Sequence, residues 1–261
     1  MRLRDLAVAA YLAAAIVFIF LPVVILVQYS FQDGLLPVPP FRGASLRWYE
    51  AMLANRRLMA GLGNSVAVGV ASSAVAVALG FLAAYGLARA RPRHAGRLRF
   101  GLMAPLTVPY IIIGLGLLNA FGALGISRSL VTIGIGHVVI NLPLCFAIIY
   151  SQLGEHQAQI ERAAHDLGAS ELQALLLVTV PMLWPTLLAA FVIAFTLSWD
   201  EFVIAFLLSR FDVTLPVVMW NMLNSGLNPQ LNAVGTLVFA ISTGLVVVVA
   251  LLLLGRRRRD G

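Results

Sequence analysis

Six long stretches of this chain carry no charged side chain, and that feature rules out most folds. They run from Leu6 to Gln32, Leu58 to Ala88, Phe100 to Ser127, Ser129 to Gly154, Leu172 to Trp199 and Val213 to Gly255. About 20 apolar helical residues cross the hydrocarbon of a bilayer. A backbone in lipid must satisfy its own hydrogen bonds, which open strands and loops cannot do. The stretches therefore predict an all-α membrane protein with six transmembrane helices, near residues 8–28, 62–88, 101–121, 131–150, 185–208 and 232–254. Composition agrees: 11% of the 261 residues are charged and 61% are hydrophobic, where soluble domains carry roughly a quarter charged residues. The first stretch follows Met-Arg-Leu-Arg, as a secretory signal would. Its apolar core is long and five more follow, so it is read as an uncleaved span.

All eighteen basic residues are arginine. The absence of lysine excludes a phosphate-binding P-loop, so this chain is not itself a P-loop ATPase. The arginines lie between the apolar runs without interleaved aromatics, which is a topology signal and not a nucleic-acid footprint. With the N-terminus inside, the inner segments hold Arg2, Arg4, Arg89, Arg91, Arg93, Arg97, Arg99, Arg162 and Arg256 to Arg259. The outer segments hold Arg42, Arg47, Arg56, Arg57, Arg128 and Arg210, half as many. The excess places both termini in the cytoplasm. His94, His137, His156 and His165 have no zinc-ligand spacing, so no metal site is expected. The one cysteine, Cys145, is read as packing. With no internal repeat or low-complexity linker, residues 1–261 read as a single membrane domain. Pro105, Pro109, Gly114, Gly116 and Pro143 fall inside the predicted spans. They signal either ordinary kinks or broken backbone lining a cavity.

The third inner segment, about 151–184, is longer than a connector needs. Ile160, Ala163, Ala164 and Leu167 recur at helical spacing, Gly168 is placed to end that helix, and Ser170 to start a second as its N-cap. Pro181 and Pro185 punctuate the approach to span five. The segment carries Glu155, Glu161, Asp166 and Glu171 against Arg162 alone. A helical hairpin lying on anionic lipid is usually basic on its polar face, so docking into a protein partner is favoured.

These residues resemble a family. "IERAAHDLGASELQALLLVTVPMLWP" is similar to the cytoplasmic signature loop of permease subunits of bacterial ABC importers, with matches at Glu161, Ala163, Ala164, Leu167, Gly168, Ala169 and Pro181. Arg162 stands where many members have glutamate, and Val180 replaces the usual leucine before the proline. "SLRWYEAML", "AFTLSWDEFVIAFLLS" and "TLPVVMWNMLNSGLNPQLNAVGTLVFA" look like the second permease of spermidine/putrescine-type systems. The resemblance implies a type I importer permease fold in the bacterial inner membrane. It also implies that the loop, Asp166 included, is a coupling helix inserted into an ATPase. The expected partners are two ATPase subunits carrying ATP and Mg, a second permease in a heterodimer, a periplasmic or lipid-anchored solute-binding protein, and membrane lipid. No cofactor or nucleic acid is expected on this chain. The solute would be polyamine-like, or an opine, an aminobutyrate-like compound or another small solute of the same family. A membrane scaffold or enzyme with an interfacial hairpin is the reading of another class, and no catalytic constellation supports it.

Asp200 and Glu201 interrupt span five. A carboxylate facing lipid there would cost about 2.5–3.5 kcal/mol on insertion scales. Three arrangements avoid that cost: a substrate path that attracts a cation, a structural pairing in the complex, or a shallow position in the interface. Trp199 beside them would offer either a cation–π contact or an interfacial anchor. Trp220, Asn221 and Asn224, after Pro216, would form an outer gate, a binding-protein contact, or a loop with its polar groups satisfied.

Overall fold

The computed structural model describes residues 3–90, 92–226 and 228–257, so Arg2, Arg91, Arg258 and Arg259 of the orientation signal lie outside the described residues. The elements are helical throughout: α1 (Leu3–Ser30), α2 (Arg47–Ala54), α3 (Arg56–Ala90), α4 (Ala95–Met103), α5 (Tyr110–Ala123), α6 (Leu130–Tyr150), α7 (Glu155–Asp166), α8 (Glu171–Ala174), α9 (Val180–Trp199), α10 (Val203–Leu208), α11 (Leu215–Asn224) and α12 (Pro229–Arg257). Among the described residues, extended pairing is limited to an isolated bridge between Gln32 and Ala44. Among the described residues, five helical segments are long and apolar enough to cross a membrane, and the bent pair Ala95–Thr107 and Tyr110–Ala123 would make a sixth.

Two expected spans take a different form. Span three is not one helix over 101–121. A 3₁₀ turn over Ala104–Thr107 and an extended Val108 separate α4 from α5, and the two arms meet at 102°. Pro105 and Pro109 lack the N–H groups a continuous helix needs, and a residue before proline is driven out of the α region. Span five is likewise not one helix over 185–208. It begins earlier, because α8 runs through a π-turn at Leu175–Thr179 directly into α9. The wider turn makes room for Pro181 just beyond it. It also ends earlier, at Trp199, with Asp200 as C-cap.

The chain forms two compact units, one from the described residues of Met1–Met59 and Val218–Gly244, the other from those of Ala60–Val217 and Leu245–Gly261. In the first, the segment after α1 is built around Gln32, which is 1% exposed. Its side-chain amide donates to the Pro40 carbonyl at 3.2 Å and its oxygen accepts from the Arg42 N–H at 2.9 Å. The Trp48 indole donates to the Gln32 carbonyl at 2.7 Å. In the second, α3 presents a buried stripe of small residues, Ser72, Ala76, Gly80 and Ala84. A β-carbon at Gly80 would stand 2.9 Å from the Phe146 backbone nitrogen, so α3 and α6 pack backbone to backbone. Small residues at every fourth position serve this purpose in membranes, where lipid removes the hydrophobic drive for helices to associate.

Helix α6 meets α9 along a matching row. His137 Nδ1 lies 2.6 Å from Ser198 Oγ, Asn141 Nδ2 donates to the Ala194 carbonyl at 3.4 Å, and the Cys145 thiol points at the Ala190 carbonyl at 4.0 Å. Each step is four residues up one helix and four down the other. Cys145 is fully buried in this packing.

Candidate functional site

Two places in the second unit combine unusual backbone with charged groups. The first is the α7–α8 element. Gly168 has φ +91°. Its N–H donates to the His165 carbonyl at 2.9 Å, and the Ala169 N–H to the Ala164 carbonyl at 3.0 Å. Those two bonds satisfy the last carbonyls of α7 as a left-handed C′ residue allows. No atom lies within 4 Å of a β-carbon built on Gly168, so conformation and not space demands the glycine. Ser170 and Gln173 then form a reciprocal capping box that starts α8.

The faces of α7 differ from the expectation. Ala163 and Leu167 are exposed, Leu167 at 89%, while Ile160 and Ala164 are only half-buried. The inward residues are Ala158 and Glu161. Glu161 is therefore not part of an exposed acidic face. Its carboxylate accepts from Arg89 Nε at 2.6 Å and Nη2 at 2.9 Å, and from the Thr179 hydroxyl at 2.8 Å. Glu155 is paired with Arg162 at 2.5 Å. What α7 offers outward is an apolar tip at Leu167 beside the exposed Asp166 and Gly168, with Ala164 and Ala169 partly covered. Pro181 is also exposed.

The second place is the break after α9. Glu201 is 6% exposed, and its carboxylate accepts from the N–H groups of Ile204 at 3.0 Å and Ala205 at 3.1 Å. These are donors that the first turn of α10 would otherwise leave unsatisfied, and a negative charge is favourable at that end of a helix. His137 Nε2 stands 3.3 Å from Glu201 Oε2, close enough for attraction but poorly aligned for a hydrogen bond. Ser198 Oγ in turn lies 3.1 Å from Ser72 Oγ. The row Ser72, Ser198, His137, Glu201 thus joins α3, α6, α9 and α10. Serine, histidine and glutamate make up some hydrolytic triads, but here they are 4%, 0% and 6% exposed and leave a substrate no approach. Trp199 is 3% exposed and stacks on Phe195 at a centroid distance of 6.0 Å, so its face is not available to a cation. Of the three residues expected on a substrate path, only Asp200 is exposed.

The matching helices, the glycine turn and the broken span agree with what a family comparison finds. A model of the binding-protein-dependent transport system inner membrane component matches residues 76–259. The chain belongs to that family. This permease is 35% identical to the putrescine transport system permease protein PotI of Escherichia coli (strain K12), over 93% of this chain and 89% of that protein. It is 29% identical to the spermidine/putrescine transport system permease protein PotC of the same strain, over 96% and 94% of the two chains. Its fold is that of a bacterial ABC transporter chain involved in the import of the acidic polysaccharide alginate, at a TM-score of 0.68, 20% identity, and coverage of 97% and 96%. The permease is a multi-pass inner membrane transport subunit and not an enzyme; ATP hydrolysis belongs to separate subunits.

In the first unit of the permease, a cavity of about 440 Å³ is lined by Trp48, Asn55, Arg57, Asn221 and Ser225 among others. Of the three residues singled out near Pro216, Asn221 lines it; Trp220 is 42% exposed and Asn224 is exposed, and neither is in its wall. Among the described residues, no acidic side chain lines this cavity. Arg89, Thr179, His137 and Ser198 were not expected at a site. A polar residue inside an apolar run is the signal that would have found His137. Arg89 carries no such signal, because an arginine at a span end reads as topology alone.

Proposed function

We propose that this permease is one of two dissimilar membrane subunits of an ATP-driven importer for a polyamine-like organic cation. Two ATPase subunits holding ATP and Mg would bind on the cytoplasmic side, where both termini also lie, and a soluble or lipid-anchored binding protein would deliver solute from outside. The α7–turn–α8 element is the part offered to an ATPase subunit, through Ala163, Ala164, Asp166, Leu167, Gly168 and Ala169. The observation that carries this reading is Leu167, an apolar side chain left 89% exposed at the tip of a rigidly closed turn. The solute class rests on the putrescine and spermidine/putrescine permeases, to which the chain is 35% and 29% identical.

Asp200 is the residue of this region available to a cation, being exposed where the span breaks, while Glu201 is committed to α10. Asp200→Asn is expected to lower uptake of putrescine or spermidine by the reconstituted transporter about tenfold, the loss of one charge contact in a poorly hydrated path. Unchanged uptake kinetics would remove Asp200 from the path. Titrating the cognate binding protein with polyamines, opines and amino acids tests the solute directly; saturation by an opine alone would overturn the polyamine assignment.

A further inference from the structure

We propose that Arg89 and Thr179 are positioning residues that lock the α7 helix to two membrane helices, so that a push on α7 moves all three together. The inference deepens, and rests on, the reading of α7–α8 as the ATPase-facing element. Three elements converge on one carboxylate. Arg89 lies in the last turn of α3, Glu161 in the middle of α7, and Thr179 closes the π-turn that leads into α9. Both nitrogens of the arginine fork engage the two Glu161 oxygens, and the threonine hydroxyl takes a second position on Oε1. The side chains of Arg89 and Glu161 are 21% and 5% exposed, and Arg89 is braced over the Tyr85 ring at 5.8 Å.

A bidentate arginine–carboxylate pair has one good geometry. The Glu161 side chain is 5% exposed, so separating the pair leaves its buried charge uncompensated, which is strongly destabilising. The π-turn departs from regular helical bonding, and Pro181, two residues beyond Thr179, has no N–H to donate. Thr179 thus ties α7 to the irregular turn that leads directly into α9. Motion delivered to α7 is then spent on the end of α3 and the start of α9, not on bending α7 away from the membrane helices.

The test is made on the full transporter, reconstituted in proteoliposomes with its binding protein and ATPase subunits. Arg89→Met combined with Glu161→Leu removes the pair without stranding a charge. Assembly and ATP hydrolysis should persist, while solute moved per ATP hydrolysed falls at least about fivefold, the low end of coupling between distant sites. An unchanged ratio overturns the proposal. Should that double variant not accumulate, Thr179→Val removes the hydroxyl that reaches Glu161 at 2.8 Å and the Ala174 carbonyl at 3.4 Å, and keeps the ion pair. Its ratio should fall about twofold or more, and an unchanged ratio overturns the proposal equally. Leu167→Arg separates the two ideas. It should strip the ATPase subunits from the purified complex. If they remain bound, the docking reading fails while the transport ratio still decides the role of the joint.

Discussion

A carboxylate within the apolar part of a membrane protein has to find donors, and Glu201 finds them in the backbone of Ile204 and Ala205 with His137 alongside. Hydrogen bonds to a charged group contribute about 1.5–3 kcal/mol each, and those at a helix start also gain from its dipole. Asp200, one residue earlier, is exposed and caps nothing with its side chain. Glu201→Gln should therefore destabilise the permease by about 1–3 kcal/mol, whereas Asp200→Asn should stay within about 0.5 kcal/mol, as exposed substitutions do. Thermal melting in detergent checks both, and equal shifts would contradict the assignment. Adjacent acids in an apolar run were legible in the sequence as an anomaly. Which of them is structural was not, because the answer depends on a break in the helix and on His137, 64 positions away in the chain.

At the scale of elements, α3, α6 and α9 are held by two kinds of contact of different worth. Asn141 reaches the Ala194 carbonyl at 3.4 Å, a long bond, and interhelical hydrogen bonds in membranes average only about 0.6 kcal/mol. Gly80 instead permits direct backbone contact with α6, and overfilling such a seam costs about 1–3 kcal/mol or more. Gly80→Val should accordingly lower stability more than Asn141→Leu, measured as the fraction of folded permease retained after heating in detergent. The reverse order would mean that the polar row, not the small-residue stripe, holds these helices. The stripe Ser72, Ala76, Gly80, Ala84 is visible in sequence once its period of four is sought. The spans' approximate positions were visible too. Their interruptions at Val108 and Asp200 were less so: proline marked the first, while no breaker stands at the second.

At the scale of the molecule, the apolar window of α1 buries none of its residues within the chain, and Phe18 and Tyr11 are 80% and 74% exposed. A soluble protein could not tolerate that surface, but lipid is as apolar as the side chains it meets. The proposed orientation puts Leu36 outside and Leu167 inside. Cys145 is fully buried, so added cysteines report alone. A membrane-impermeant thiol reagent on intact cells should label Leu36→Cys and spare Leu167→Cys, which should label in inverted vesicles from cells expressing the permease without its ATPase subunits; the opposite pattern reverses the topology. Several properties follow from the residues taken one stretch at a time: a helical membrane protein, its apolar segments, the arginine bias, and the glycine turn after α7. The reason is that transfer into lipid and backbone conformation act locally. The burial of Glu161 and Glu201, the exposure of Leu167, and the joint at Arg89 are different in kind. They join positions 72 apart for Arg89 with Glu161 and 61 apart for His137 with Ser198. Only the packing of helices onto one another decides which polar groups meet, because a side chain's charge says what partner it needs and not where the chain will bring one.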